Sequence, residues 1–171
     1  MASTLFTNAR IVDGTSPEAG APVSVLVEGG TIREVGKAVS SAKAKVVDLN
    51  GKTLMPGLID AHVHVVAGVA DLGLNSRLPD SHVTARAFVI MREMLLRGFT
   101  TVRDVGGADF GLKQATEEGH FPTPRLVISG KALSQTGGHA DFRGRYDDAT
   151  TPVTRHRLGA LGRVCDGLDQ V

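Results

Sequence analysis

Apolar and polar positions divide the chain into two blocks, which we predict as domains at residues 1–52 and 53–171. In the first block, short apolar runs are separated by glycine, asparagine and aspartate, a pattern typical of strands joined by tight turns. These runs lie at residues 5–12, 23–28, 31–35 and 46–49. Gly29-Gly30 separates two of the runs and predicts a β-hairpin. The block is therefore expected to form a small sheet whose open edges need a partner layer.

The second block alternates predicted strands with predicted helices. The strands are expected at residues 58–65, 100–105 and 125–129, and the helices at residues 83–97 and 111–118. Apolar residues recur every three or four positions through the first helix, which indicates one buried stripe. Ser81 and Asp109 are the predicted caps at the helix starts, and Gly98 is the predicted stop of the first helix. This βαβαβ order predicts an α/β fold with a parallel sheet.

Composition argues against nucleic-acid binding, an internal disulfide and a membrane span. The chain has 171 residues, with 19 basic and 18 acidic side chains, no tryptophan and one tyrosine, so we expect no nucleic-acid partner. The single cysteine, Cys165, excludes an internal disulfide and is expected to be inert. The longest uncharged stretch near the middle of the chain, residues 61–70, is far shorter than the ~20 residues that span a bilayer. With no signal-peptide pattern at the start, we expect a cytoplasmic protein with no membrane partner.

The strongest chemical signal is a pair of histidines in the first strand of the second block. In a regular strand, Asp60, His62 and His64 share one face, and Ile59, Ala61, Val63 and Val65 share the other. Neutral imidazole is a common metal ligand, and two imidazoles at this spacing can reach one ion. Two interpretations stay open from the residues alone: a metal site, or two histidines satisfied by hydrogen bonds.

Residues 56–64, Pro-Gly-Leu-Ile-Asp-Ala-His-Val-His, resemble the sequence that opens the barrel of the metal-dependent amidohydrolase superfamily. Residues 98–107 and 136–139 are similar to its imidazolonepropionase-like branch, which includes Xaa-Pro dipeptidase-type peptidases. The resemblance implies an incomplete domain: the first three βα units of a (β/α)8 TIM barrel, preceded by part of a small β-sandwich.

The resemblance also implies a reaction. His62 and His64 would hold a divalent metal, most often Zn2+, as one or two ions. A metal-activated hydroxide would then cleave a C–N bond in an amide, cyclic amide or dipeptide, so a small-molecule or short-peptide substrate is expected. Asp60 is expected to orient the histidines. His139 is expected to contact substrate, with stabilisation of its own loop as the alternative.

The chain departs from the family pattern in its later part. Lys131 does not match the carboxylated lysine of the family, and the remaining ligands and the catalytic acid–base residue are expected beyond Val171. Asp166 looks like a helix start close to the last residue. We therefore expect an N-terminal fragment that is inactive alone. The alternative is a non-catalytic truncated product that depends on association with another chain or with a second copy, as a homo-oligomer.

Other polar residues carry weaker signals. Arg143 has two interpretations, a ligand for a substrate carboxylate or a solvated surface residue. Arg103 and Asp104 are expected on opposite faces of their strand, where one of them supports the metal site or both have ordinary structural roles. Three histidines without a motif are predicted to lie at the surface: His82, His120 and His156.

Overall fold

The computed structural model describes residues 3–147 and 157–171. They divide into two compact units, the first ending at Pro56 and the second beginning at Gly57. The sequence pattern put the start of the second block at residue 53. The first unit extends further because Thr53–Leu54 pairs with its sheet.

The first unit is a five-stranded sheet. Its strands are β1 (Ser3–Ile11), β2 (Val23–Glu28), β3 (Thr31–Gly36), β4 (Lys45–Asp48) and β5 (Thr53–Leu54). The order is β3-β2-β1-β4, and β5 also pairs with β1. The predicted hairpin is confirmed, because β2 and β3 are antiparallel. Gly29 and Gly30 form the turn between the two strands, with φ values of 57° and 79°. Glycine takes this left-handed conformation without a steric penalty.

One side of this sheet stays open within the unit. A small core contains Leu5, Leu26 and Val39. By contrast, Ile32 and Val46 are 63% and 59% exposed. The open apolar surface agrees with the expectation that the sheet needs a partner layer.

The second unit is built around a three-stranded parallel sheet. Its main elements are β6 (Leu58–Val63), α1 (Leu72–Asn75), α2 (Asp80–Leu96), β7 (Phe99–Asp104), α3 (Phe110–Glu117) and β8 (Arg125–Ile128). The sheet order is β6-β7-β8, which confirms the predicted parallel arrangement. Two further strands, β9 (Ala132–Ser134) and β10 (Gly162–Val164), form a separate parallel pair. Neither these two strands nor α1 was predicted.

The helices bury one face of the parallel sheet. Met91 from α2, Val102 from β7 and Leu126 from β8 are at most 2% exposed and belong to one hydrophobic cluster. A close backbone approach helps β6 to fit beside β7, because a Cβ atom on Gly57 would lie only 2.1 Å from the Thr100 hydroxyl oxygen. A side chain at Gly57 would therefore force Thr100 or the backbone to move.

The helix starts agree with the predictions in one case and differ in the other. Asp109 accepts a hydrogen bond from the Leu112 main-chain N–H at 2.8 Å, so its predicted capping of α3 is confirmed. Ser81 is not the cap of α2, since the helix already begins at Asp80 after Pro79. The ring of Pro79 fixes its φ angle at a value that suits the start of a helix, and no side chain caps α2 with a hydrogen bond.

The expected helix start at Asp166 is wrong. Its carboxylate accepts hydrogen bonds from the Thr136 main-chain N–H at 2.7 Å and the Thr136 hydroxyl at 2.6 Å. A single 3-10 turn, Leu168–Gln170, follows Gly167. The buried Cys165 thiol donates to the Gln170 carbonyl oxygen at 3.1 Å.

The segment 157–161 is tied to the parallel sheet of the second unit by the polar side chains of Asn75 and Lys131. The fully buried Asn75 amide donates to the Val66 and Gly159 carbonyl oxygens, at 3.0 and 2.8 Å, and accepts from the Gly68 N–H at 3.0 Å. The Lys131 ammonium donates to the carbonyl oxygens of residues 157 and 160. Burial lowers the pKa of Lys131, and nearby aspartates oppose this shift.

Among the described helices, none combines the length and the apolar character needed to cross a lipid bilayer.

Candidate metal centre

His62 and His64 lie together at the carboxyl end of β6. Their ring centroids are 5.5 Å apart, and the ring planes meet at 83°. His62 is exposed and His64 is half-buried, whereas Val63 between them is 8% exposed and belongs to the hydrophobic core. The two imidazoles therefore lie on the side of β6 away from the core.

The regular alternation predicted for β6 is wrong at its centre. Asp60 pairs with Val102 and Val63 pairs with Asp104, so β6 contains one more residue than β7 over this stretch. Such a bulge shifts the alternation. Asp60 therefore does not share a face with His62 and His64 by regular alternation. Ile59, predicted to pack under the helices, is 72% exposed, next to a second register shift between Leu58 and Ile59.

Asp60 contacts the main chain of the histidine pair. Its carboxylate accepts a hydrogen bond from the His62 main-chain N–H at 3.0 Å, within the bulge. The expected orienting role of Asp60 stays a prediction. The contact indicates that such a role would act through the backbone, by fixing the bulge that precedes His64.

The His64 ring is held by the turn that follows β7. Its Nδ1 lies 3.1 Å from the Gly106 carbonyl oxygen. A carbonyl oxygen only accepts, so Nδ1 must carry the proton, and Nε2 is the nitrogen that can accept a metal. The absence of a side chain at Gly106 leaves space for the ring, because a Cβ atom there would lie 3.3 Å from His64 Cε1.

Asp104 organises this turn, a role that the sequence pattern left open between support of the metal site and an ordinary structural role. The side chain is completely buried. One carboxylate oxygen accepts from the Val65 N–H at 2.7 Å, and the other accepts from the N–H groups of Gly106 and Ala108 at 3.0 and 3.2 Å. Burial raises the pKa of Asp104, and these main-chain hydrogen bonds oppose the rise. The Asp-Val-Gly-Gly sequence at the strand end was the available signal.

The histidine pair has the chemistry of a metal site that other ligands would complete. Imidazole suits zinc, copper, iron and nickel, and a catalytic zinc usually has about three protein ligands. Across residues 3–147 and 157–171, no three histidine, cysteine, aspartate or glutamate side chains come together as a ligand set. His62 and His64 are two imidazoles of the type that zinc binds, and their role as metal ligands stays a prediction.

His139 is exposed and lies in the loop after β9. Asp141 accepts hydrogen bonds there from Gly137 N–H at 2.8 Å and from two guanidinium nitrogens of Arg143, at 2.7 and 2.6 Å. The interpretation of Arg143 as a free ligand for a substrate carboxylate is therefore disfavoured. Contact between His139 and substrate stays a prediction.

The remaining polar residues considered in the sequence make structural contacts or lie at the surface. Arg103 Nε donates to the Ala61 carbonyl oxygen at 2.8 Å, so this side chain links β7 to β6. His82 and His120 are exposed, as expected, and His120 contacts Glu118 at 2.8 Å. His156 lies outside the described residues.

With this geometry in place, comparison with known proteins identifies the family. The model of the Amidohydrolase family matches residues 53–164, more than half of the chain, and the chain belongs to this family. The family and the relatives found here are hydrolases that act on carbon–nitrogen bonds.

Three relatives illustrate the similarity. The crystal structure of an amidohydrolase is 50% identical, with a TM-score of 0.91, over 99% of this chain and 42% of its own. A prolidase complexed with N-methylphosphonate-L-proline is 43% identical, with a TM-score of 0.92, over 99% of this chain and 42% of its own. The imidazolonepropionase of Vibrio vulnificus is 42% identical over 66 residues, which are 36% of this chain and 16% of that protein. This chain therefore spans less than half the length of these relatives.

Proposed function

We propose that this chain supplies the N-terminal part of a metal-dependent hydrolase acting on C–N bonds, with His62 and His64 as metal ligands. The observation that carries the proposal is the histidine pair, whose ring centroids lie 5.5 Å apart on the side of β6 away from the core. Family membership supports the reaction class. On this proposal, the second unit is the first part of a (β/α)8 TIM barrel, and the site lies at the carboxyl ends of its strands.

Zn2+ is the proposed metal, as one or two ions, because its preference for imidazole nitrogen matches the two residues available. When bound, the metal would lower the pKa of a water molecule and polarise the scissile carbonyl. The chain's own contribution is to hold the two imidazoles. Asp60 fixes the backbone at His62, and Gly106 fixes the His64 ring with Nδ1 protonated.

The proposed substrate is a small amide, a cyclic amide or a dipeptide with proline. Similarity to a prolidase crystallised with a proline-derived phosphonate supports the last of these. His139 is the proposed substrate contact, because it is exposed on the loop that Asp141 and Arg143 brace. A cytoplasmic location is part of the same proposal.

The 171-residue chain alone is proposed to bind metal weakly and to be inactive, since it offers two of the usual ligands. Competition with a chromophoric chelator measures Zn2+ affinity for the wild type, His62→Ala, His64→Ala and the control His120→Ala. We expect each site substitution to weaken binding at least tenfold, whereas His120→Ala leaves it unchanged. Equal affinity in all four proteins would refute the ligand assignment.

An assay with an Xaa-Pro dipeptide and Zn2+ tests the expected inactivity. The expected rate for the chain equals the rate with Zn2+ alone. Turnover that His64→Ala abolishes would show that the chain is sufficient for the reaction, contrary to the proposal.

A second candidate is a non-catalytic product that depends on association, and the exposed apolar surface of the first unit favours it. Val35 is 52% exposed and lines a cavity of about 500 Å³ together with Phe6, Val25 and Leu54. Unpartnered apolar sheet surface promotes contact with another chain or with a second copy. Size-exclusion chromatography with light scattering tests association with a second copy. A monodisperse monomer across a concentration series contradicts self-association.

A further inference from the structure

Asp104 links the ends of two neighbouring strands at the candidate metal centre. Its carboxylate binds Val65, the residue directly after His64, at the end of β6. It also binds Gly106 and Ala108 in the turn after β7. The first hydrogen bond spans 39 positions of the sequence, and the other two span two and four, so one side chain holds the main chain on both sides of the His64 ring.

The link reaches the His64 ring through one residue. Gly106 donates its N–H to Asp104 at 3.0 Å, while its carbonyl oxygen accepts from His64 Nδ1 at 3.1 Å. The acceptor carbonyl belongs to the peptide group between residues 106 and 107, and the carboxylate holds the peptide groups on both sides of it through the N–H groups of Gly106 and Ala108. A hydrogen bond at one imidazole nitrogen sets which nitrogen stays free for a metal and how the ring is oriented.

A carboxylate is needed for this arrangement. Asp104 accepts three N–H groups on two oxygens and donates none. An asparagine of the same shape has one oxygen, and its NH2 group would face either Val65 N–H or the pair of N–H groups in the turn. Two donors then oppose each other in a buried site, which disrupts one end of the link.

We propose that Asp104 is a positioning residue for the metal centre, and that it fixes the His64 ring through Gly106 so that Nε2 faces the metal. The metal-binding part of this inference rests on the proposed function. The control of the ring does not, because the hydrogen bonds that carry it lie within the protein.

The test compares Asp104→Asn with the control Asp109→Asn by two measurements. Asp109 is the control because it is a nearby aspartate whose exposed side chain caps α3 through Leu112 N–H, a contact that does not lead to His64. Nitrogen-15 NMR of the imidazole rings gives the tautomer of His64 in the metal-free chain. Chelator competition gives the Zn2+ affinity.

In the wild type, His64 is expected in the Nδ1–H tautomer. Asp104→Asn is expected to give a mixture of tautomers and to weaken Zn2+ binding about 10- to 100-fold. Asp109→Asn is expected to leave both readouts unchanged, because asparagine caps a helix about as well as aspartate. This pattern separates positioning of the ring from general structural support.

Two results would overturn the proposal. One is a wild-type His64 with the proton on Nε2, which needs no variant and so decides the matter even if Asp104→Asn fails to fold. The other is a folded Asp104→Asn chain with unchanged tautomer and affinity. If no variant or wild-type chain binds Zn2+, the proposed function fails, and the tautomer measurement still decides whether Asp104 controls His64.

Discussion

Replacing Asn75 by alanine removes three hydrogen bonds that a single buried amide makes. The amide donates to Val66 and Gly159 and accepts from Gly68, so the substitution leaves three main-chain groups without their partner. An unsatisfied buried polar group costs about 1–3 kcal/mol, and some re-solvation of the partly buried Gly68 N–H reduces the sum. We expect the free energy of unfolding of the second unit to fall by about 3–5 kcal/mol.

Urea titration followed by helical circular dichroism measures this loss. The chain has no tryptophan, and its described helices all lie in the second unit, so the helical signal reports on that unit. With an m-value of about 2 kcal/mol/M, a loss of about 4 kcal/mol moves the urea midpoint down by about 2 M.

The matched control is Gln114→Ala, which removes an exposed amide that donates to Glu118 at 2.7 Å. We expect a change within about 0.5 kcal/mol for this surface substitution. If Asn75→Ala loses less than about 1 kcal/mol at an unchanged m-value, the argument that Asn75 satisfies buried groups is refuted.

Three further substitutions test the packing and the loop. Met91→Ala in the fully buried core is expected to lower the free energy of unfolding by about 2–5 kcal/mol, and Leu96→Ala on the exposed side of the same helix by less than about 1 kcal/mol in the same urea assay; equal losses would contradict the assigned core. Gly57→Ala should lower the melting temperature, because its Cβ would overlap a side chain of β7, and a neutral result would mean that the backbone moves freely there. The Arg143 hydrogen bonds hold the pKa of Asp141 below its usual range, so their stabilisation is complete above the ordinary pKa of about 3.9 and declines as the pH falls below it. The melting-temperature difference between wild type and Arg143→Met should therefore be largest near neutral pH and shrink in acid; a difference that grows in acid would reverse the assigned sign.

The fold was predictable where a hydrophobic pattern extends over enough residues to be recognised. The buried stripe of α2 and the apolar runs of β7 and β8 identify a parallel α/β unit, and paired glycines identify the β2–β3 hairpin. The two-residue β5 and the four-residue α1 were missed because they show neither a hydrophobic period nor an apolar run such as those of β4 and β8. Their formation depends on pairing and packing with distant segments.

The candidate site was predictable in its residue types and only partly in its geometry. His62-Val63-His64 marks the site, since two imidazoles flank one core residue. The bulge at Asp60 could not be predicted, because it arises from the register between β6 and β7. The role of Asp104 also depends on a contact between those two strands, and its sequence neighbours indicate only a turn.

The position of Cys165 makes it a built-in reporter of local opening. The thiol is buried directly after β10 and donates to Gln170, and it is the single cysteine of the sequence. Because the thiol is buried, a thiol-reactive dye reaches the sulfur mainly when the segment around Cys165 opens. The labelling rate of the unmodified protein therefore measures how often this region opens under native conditions, without any engineered probe.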